Sequence, residues 1–258
     1  MTPKRRAEQA AELLLRTREE NRTLHELPAE LAPTTLAEAY AVQDATLRLI
    51  GPAGGWKVAG KSGGEPRCSI LPAGDFHASG ALFDMPGQGF EIEVETAFVL
   101  AHNIPDRPGL VSEADILAAI GSVHLALELC ASRFADRRLL PIPTPVADLQ
   151  GNAAVVLGAP VEDWRTLVFE SLPLQLRIAD KTLDLSPRNT GLPETLKTLC
   201  WLANHARERG VPLQAKNTII TGARLGPVDL GSAAEVAAFC PGLPEVRAFF
   251  RHNPLTGE

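Results

Sequence analysis

The chain has 258 residues, 25 Lys and Arg against 31 Asp and Glu, 45% apolar residues, and 21 each of Gly and Pro. That is enough apolar sequence to bury a sizeable core, which excludes disorder as the dominant state. A net charge of −6 without a basic face excludes a protein whose main task is neutralising phosphates, so nucleic acid is not an expected partner.

The first segment places Ala7, Ala10, Ala11 and Leu14 at helical spacing, and the basic run Lys4-Arg5-Arg6 before them reads as a solvated helix start. These residues alternate charge with Ala and Leu instead of forming an apolar signal core. No run of about 18 apolar residues follows. A cytoplasmic protein without membrane contact is therefore expected. A second helix begins at Thr35 with Glu38 as a capping box, and carries Leu36, Tyr40, Gln43, Leu47 and Ile50 on one stripe. The Gly- and Pro-rich stretch from Gly51 to Gly55 ends it.

After that the period changes to two. Phe90 to Leu100 alternates, and so does Val123 to Leu129, with a short helix from Ser112 to Ile120 between them. Leu174 to Ile178 and Thr182 to Leu185 flank Ala179-Asp180-Lys181 as a hairpin. A helix from Pro193 to Arg209 stops at Gly210, where a left-handed cap suits Gly, and the strand Thr218 to Thr221 follows. No internal repeat and no low-complexity linker interrupts this order. Strands joined by irregular connections, without regular βαβ alternation, predict a mixed α+β fold. Cys68, Cys130, Cys200 and Cys240 form no C-x-x-C pair and read as reduced, mostly buried thiols.

Gly55 to Ser62 fits the phosphate-loop pattern G-x-x-x-x-G-K-[ST] letter for letter. Such a loop needs a strand before it and a helix after it, so that the helix amino terminus faces the phosphates. The flanks here, Gly51-Pro52-Ala53-Gly54 and Gly63-Gly64-Glu65-Pro66, supply neither. Nucleotide binding is not expected.

Glu91 to Leu100 carries more chemistry. In an extended strand Glu91, Glu93 and Glu95 share one face while Ile92, Val94 and Phe98 share the other. Carboxylates spaced roughly 7 Å apart on one face repel each other unless the face is solvated or a cation lies between them. Mg²⁺, Mn²⁺ or Ca²⁺ suits such oxygens. Glu128 adds a further carboxylate on the face of its strand that also holds His124 and Ala126, opposite Val123, Leu125, Leu127 and Leu129. A lone Glu in so apolar a strand is costly to bury unless paired or ligated.

Several segments together resemble one family. Glu93-Val-Glu95-Thr-Ala-Phe-Val-Leu resembles the E-x-E-[IL]-A-x-V-[LI] strand of the fumarylacetoacetate hydrolase superfamily. Ala39-Tyr40-Ala-Val-Gln43, Trp56-Lys57-Val-Ala-Gly-Lys-Ser62, and Ala126-Leu-Glu128-Leu-Cys-Ala-Ser132-Arg133-Phe-Ala-Asp136 are similar to motifs of its 2-keto-4-pentenoate hydratase and 4-oxalocrotonate decarboxylase branch. Ala147-Asp148 with Val156-Leu157-Gly158, Trp201-Leu-Ala-Asn204-His205 and Ile219-Ile220-Thr221-Gly222 extend the resemblance along the chain. The sequence departs from the pattern at Ala59 to Lys61, at Ala131 and at Leu149, on the substrate side.

The resemblance implies one catalytic domain over 1–258, with a helical part over 1–80 and a strand-rich, β-roll or barrel-like metal-binding core over 81–258. It implies Glu93, Glu95 and Glu128 as ligands of one Mg²⁺, with Mn²⁺ an alternative, Lys57 as the active-site lysine, and Ser62, Asp148 and Arg133 at the substrate. His124 is expected either to orient a ligand or to be a satisfied core histidine, His205 to pack against or cap its helix, and Trp56 to wall the site. The implied activity is a lyase: hydration of a 2-hydroxy-2,4-dienoate to a 4-hydroxy-2-oxo acid in aromatic catabolism, by a homo-oligomer. A 2-oxo diacid decarboxylase, an acylpyruvate-type C–C hydrolase and a non-catalytic partner subunit are the alternatives.

Overall fold

The structure is a computed structural model that describes residues 1–59 and 66–252. In chain order its elements are α1 (Pro3–Glu19), α2 (Leu36–Ile50), β1 (Ala53–Ala59), β2 (Arg67–Pro72), β3 (Phe76–Ala78), β4 (Ala81–Asp84) and β5 (Glu91–Leu100). Then come α3 (Glu113–Ala119), β6 (Ile120–Cys130), α4 (Pro143–Ala147), β7 (Asn152–Leu157), β8 (Gln175–Ile178), β9 (Lys181–Thr182) and α5 (Leu192–Glu208). The strands β10 (Thr218–Ile220), β11 (Leu225–Asp229), β12 (Glu235–Cys240) and β13 (Leu243–Arg251) complete the order. This is a mixed fold with two mixed sheets, as the sequence predicts.

The helices form where the apolar periodicity puts them. Ala7, Ala10, Ala11 and Leu14 are the buried side of α1, which packs against α2. Thr35 caps α2 by accepting the Glu38 N–H at 3.2 Å. The reciprocal half of the capping box differs from expectation. The Glu38 carboxylate reaches one residue further back, accepting the Thr34 N–H at 2.7 Å, because it also pairs with Arg6 of α1. The buried side of α2 is Ala39, Tyr40, Val42, Gln43, Ala45 and Thr46, while Ile50 is exposed. Gly210, at φ 76°, ends the α5 region in the left-handed conformation that its type allows. The hairpin also forms, with Ile178 opposite Lys181 and a tight Ala179-Asp180 turn.

The helical amino-terminal part is shorter than 1–80. Strand β1 begins at Ala53 and pairs antiparallel with β2 and parallel with β10. The end of the Gly-rich stretch, from Ala53, is itself strand, and Gly55 lies against the Thr218 backbone where a side chain would not fit. In the phosphate-loop pattern, Gly55 to Ala59 are strand and the next described element, β2, is a strand as well, while Gly60, Lys61 and Ser62 lie outside the described residues.

The larger sheet runs β2-β1-β10-β5-β6-β7-β3, with β11 added beside β5. The smaller runs β4-β13-β12-β8-β9. One face of the larger sheet meets the helices and the smaller sheet, burying Trp56, Val58, Ile92, Val94, Phe98, Leu125, Leu127 and Leu129. The other face turns inward on itself. Leu71 of β2, Ile220 of β10, Ala97 of β5, Ala126 of β6 and Val155 of β7 join one small cluster, and Phe76 of β3 reaches back to Gly55 of β1. Strands from opposite ends of the order therefore meet, which gives the larger sheet its barrel-like curl.

Two contacts fix α2 to this barrel. The Gln43 amide is fully buried, donating to the carbonyls of Val146 at 2.7 Å and Cys68 at 3.1 Å, while its oxygen accepts the Ile70 N–H at 3.3 Å. Arg209 lies over the Tyr40 and Trp56 rings and donates to Asp44 at 2.6 Å.

A Cβ on Gly55 would stand 1.9 Å from the Thr218 carbonyl oxygen and 2.8 Å from Phe76. Gly55→Ala is expected to cost about 3 kcal/mol by forcing β1 away from β10. Gly74→Ala, which meets nothing within 4 Å, is expected to change stability by less than about 0.5 kcal/mol. Denaturant unfolding of the two variants checks both; equal stability of the two would contradict the close β1–β10 approach.

Candidate metal centre

Strand alternation sets the site. On β5, Ile92, Val94 and Phe98 point to the main core, so Glu93, Glu95 and Ala97 point into the barrel. On β6, Leu125, Leu127 and Leu129 face the core, which turns Ala126, Glu128 and Cys130 inward. Register then places Glu93 directly opposite Glu128, Glu95 opposite Ala126, and Glu91 opposite Cys130. From β1, Trp56 and Val58 face the helices and Lys57 faces the carboxylates; its backbone lies between Ser69 and Ile220.

Glu95 and Glu128 are fully buried, and Glu93 is 9% exposed. Lys57 Nζ donates to Glu128 Oε1 at 2.7 Å and stands 3.8 Å from Glu93 Oε2. Its distance to Glu128 Oε2 is also 2.7 Å, but without hydrogen-bond geometry, so that oxygen has no donor. Glu95 Oε2 accepts the Gly222 N–H at 2.6 Å, and its Oε1 has no partner. Glu91, by contrast, is partly exposed and pairs with Arg137 at 2.7 Å.

Burial raises the Glu95 carboxyl well above the carboxylate range, and the Glu128 and Glu93 charges add to it. Burial also pushes Glu128 up, with Lys57 opposing. Burial pulls the Lys57 ammonium down, but the Glu128, Cys130, Glu93 and Glu95 charges outweigh it and hold it above the ordinary lysine range. Burial, then Glu128, pushes up the Cys130 thiol as well.

The arrangement is short of positive charge. Among the described residues Lys57 is the one cation that hydrogen-bonds these carboxylates, while Arg224 acts on Glu95 from further away. Two buried carboxylate oxygens without donors, on a set of hard oxygen ligands, suit a divalent cation. The residues present therefore fit such an ion. The donors that lie within 4.8 Å of one another are those of Glu93, Glu128 and Cys130. Glu95, expected from the sequence in that set, stands beside it because its carboxylate is turned toward Gly222.

The other expected site residues fall elsewhere. Arg133 and Asp148 form a buried ion pair, and the Arg133 guanidinium also donates to the carbonyls of Ala131, Asn152 and Asp148. Asp148 Oδ2 accepts the Ser132 hydroxyl at 3.1 Å and the Arg133 N–H at 3.0 Å. This network ties the end of β6 to α4. Ser62, with Lys61, lies outside the described residues. His124 is committed on both ring nitrogens, to the Gly158 carbonyl and the Ser122 hydroxyl. His205 stacks on Trp201. Sequence reasoning missed the place of Cys130 in the cluster, although its i+2 spacing from Glu128 on one strand signals it. It also missed Gly222 as the donor to Glu95, a contact across 127 residues with no local signature.

No protein-family model matches the chain. Over its whole length it is 27% identical to a 2-keto-4-pentenoate hydratase of Paraburkholderia xenovorans (strain LB400), of which it covers 99%. It is 26% identical to a 2-hydroxyhexa-2,4-dienoate hydratase of Comamonas testosteroni, over 83% of this chain and 85% of that one. Among solved structures, the 4-oxalocrotonate decarboxylase from Pseudomonas putida G7, complexed with magnesium and adipate, matches with a TM-score of 0.79 at 20% identity, covering 97% of this chain and 99% of its own. Fold and full-length likeness agree with the curled sheet and its inward carboxylates, and they bear out the resemblance to the fumarylacetoacetate hydrolase superfamily. Within it, the likeness is to the 2-keto-4-pentenoate hydratase and 4-oxalocrotonate decarboxylase branch, and the relatives aligned over most of the chain are named as hydratases, which are lyases.

Arg133→Met would leave Asp148 buried without its counter-charge. The expected loss is about 3–5 kcal/mol of stability, read by denaturant unfolding. A variant as stable as the parent but with a raised KM would instead return Arg133 to the substrate.

Proposed function

We propose that the chain is a divalent-metal-dependent hydratase that adds water to a 2-hydroxy-2,4-dienoate of the 2-keto-4-pentenoate type, giving a 4-hydroxy-2-oxo acid. The observation that carries this reading is a buried lysine hydrogen-bonded within a set of three buried carboxylates on one inward sheet face. The hydratase names of relatives aligned over most of the chain support it.

Glu93, Glu95 and Glu128 would hold the cation, Mg²⁺ or Mn²⁺. When bound, such an ion supplies Lewis-acid stabilisation of negative charge on the oxygens of a 2-oxo acid. The chain does the rest. Conversion of the 2-hydroxydienoate to its conjugated 2-oxo-3-enoate removes the 2-hydroxyl proton and adds one at the distal carbon. The Lys57 ammonium would give that proton and be restored by the one the hydroxyl releases, after which water adds across the C3–C4 double bond, its hydroxyl to C4 and its proton to C3. Glu128 and Glu93 keep the Lys57 nitrogen protonated in the absence of substrate. The Gly222 N–H holds Oε2 of the Glu95 carboxylate and leaves its Oε1 without a donor. Leu71, Ala97, Ala126, Val155 and Ile220 form a buried apolar cluster on the same inward face.

The test is a panel of 2-hydroxydienoates and 2-oxo diacids incubated with the protein and Mg²⁺ or Mn²⁺, following ultraviolet loss and CO₂. Dienoate loss without CO₂ is expected, and Lys57→Met is expected to lower kcat/KM by about a hundredfold or more. Release of CO₂ would make the enzyme a decarboxylase. Absence of turnover, with metal affinity unchanged by Glu93→Ala, would sink the metal-dependent reading altogether.

A further inference from the structure

Cys130 is the residue at this site that the hydratase chemistry leaves without a task. It stands two residues beyond Glu128 on β6 and opposite Glu91 on β5, so its side chain shares the inward face with the carboxylates. Its sulfur and one carboxylate oxygen each of Glu93 and Glu128 all lie within 4.8 Å of one another, and all three residues are buried. Donors about 2.0–2.3 Å from a common ion stand roughly 3–4.5 Å apart. The three atoms are thus close to the spacing of ligands around one ion. A second observation points to a ligand at the same place: Glu128 Oε2 is buried and accepts no hydrogen bond, Lys57 Nζ standing 2.7 Å from it without the geometry to donate.

We propose that Cys130 is a sulfur donor to the cation held by Glu93 and Glu128, and that it shifts the preference of this site away from Mg²⁺ toward ions that accept sulfur, such as Co²⁺ and Zn²⁺. The inference rests on the metal reading above. An oxygen-only site has no means of favouring a thiophilic ion by donor type, whereas a thiolate binds Mg²⁺ poorly and borderline ions well. On binding, the thiol gives its proton to solvent and a sulfur lone pair forms the new bond to the ion; nothing is oxidised or reduced. The other thiols do not compete. Cys68, Cys200 and Cys240 take part in no three-donor group among the described residues.

The experiment titrates the full-length, metal-free protein with Co²⁺ and, separately, with Mg²⁺. The parent protein is expected to develop a thiolate-to-cobalt charge-transfer band in the near ultraviolet. Cys130→Val is expected to lose that band and to bind Co²⁺ about tenfold or more weakly, with Mg²⁺ affinity unchanged. Cys130→Ala is run beside it, so that one apolar replacement remains should the larger side chain prevent folding, and circular dichroism checks both. Co²⁺ binding without the band in the parent, or a band that survives in the variants, overturns the proposal. Failure of the underlying metal reading looks different: neither ion binds, or Glu93→Gln leaves the binding of both unchanged.

Discussion

Everything at the centre of this protein depends on one cross-strand opposition. The register of β5 against β6 sets Glu93 directly across from Glu128, with Glu95 one step along, on a face that the curl of the sheet closes off from water. Opposed carboxylates in a low-dielectric interior repel strongly. Lys57 offsets part of this from a third strand, through one hydrogen bond at 2.7 Å and a second, longer approach at 3.8 Å. What remains is a net excess of buried negative charge with oxygens that lack donors, and that imbalance is what makes the interior a place for a cation.

The surrounding structure serves to hold Lys57 in position. Strand β1 can lie flush against β10 only because Gly55 has no side chain, and the parallel pairing places Lys57 beside Ile220. Behind β1 and β2, the Gln43 amide binds backbone of β2 and α4 at once, while Arg209 covers Trp56 and Tyr40. The Arg133–Asp148 pair performs the same kind of task at the far end of β6. Arg133 and Asp148, which the resemblance implies at the substrate, thus also fasten a strand that carries one of the carboxylates.

Much of this was legible in the chain itself. Strict alternation in Glu91 to Leu100 and Val123 to Leu129 assigns Glu93, Glu95 and Glu128 to faces opposite the apolar residues, and both strands form as that pattern requires. Helix α1 follows its Ala and Leu spacing, and α5 stops near a glycine able to adopt positive φ. Beginning the strand-rich part at 81 failed because glycines that break helices also permit close strand pairing, and only the partner strand decides which use applies. The capping box at Thr35 was half right for a related reason: Glu38 had a nearer claim from Arg6, a residue on another helix.

The sequence by itself determined which side chains share a face, since the period of a strand is a local property of the backbone. It also carried the family resemblance, because the resembling motifs are spread from Ala39 to Gly222. Only the tertiary structure decided who meets whom across the barrel. The Glu93–Glu128 register, the reach of Lys57 from β1, the Gly222 contact to Glu95 and the approach of Cys130 to the carboxylates all depend on sheet order and curl. Those are set by packing between segments far apart in the chain, and no local pattern encodes them.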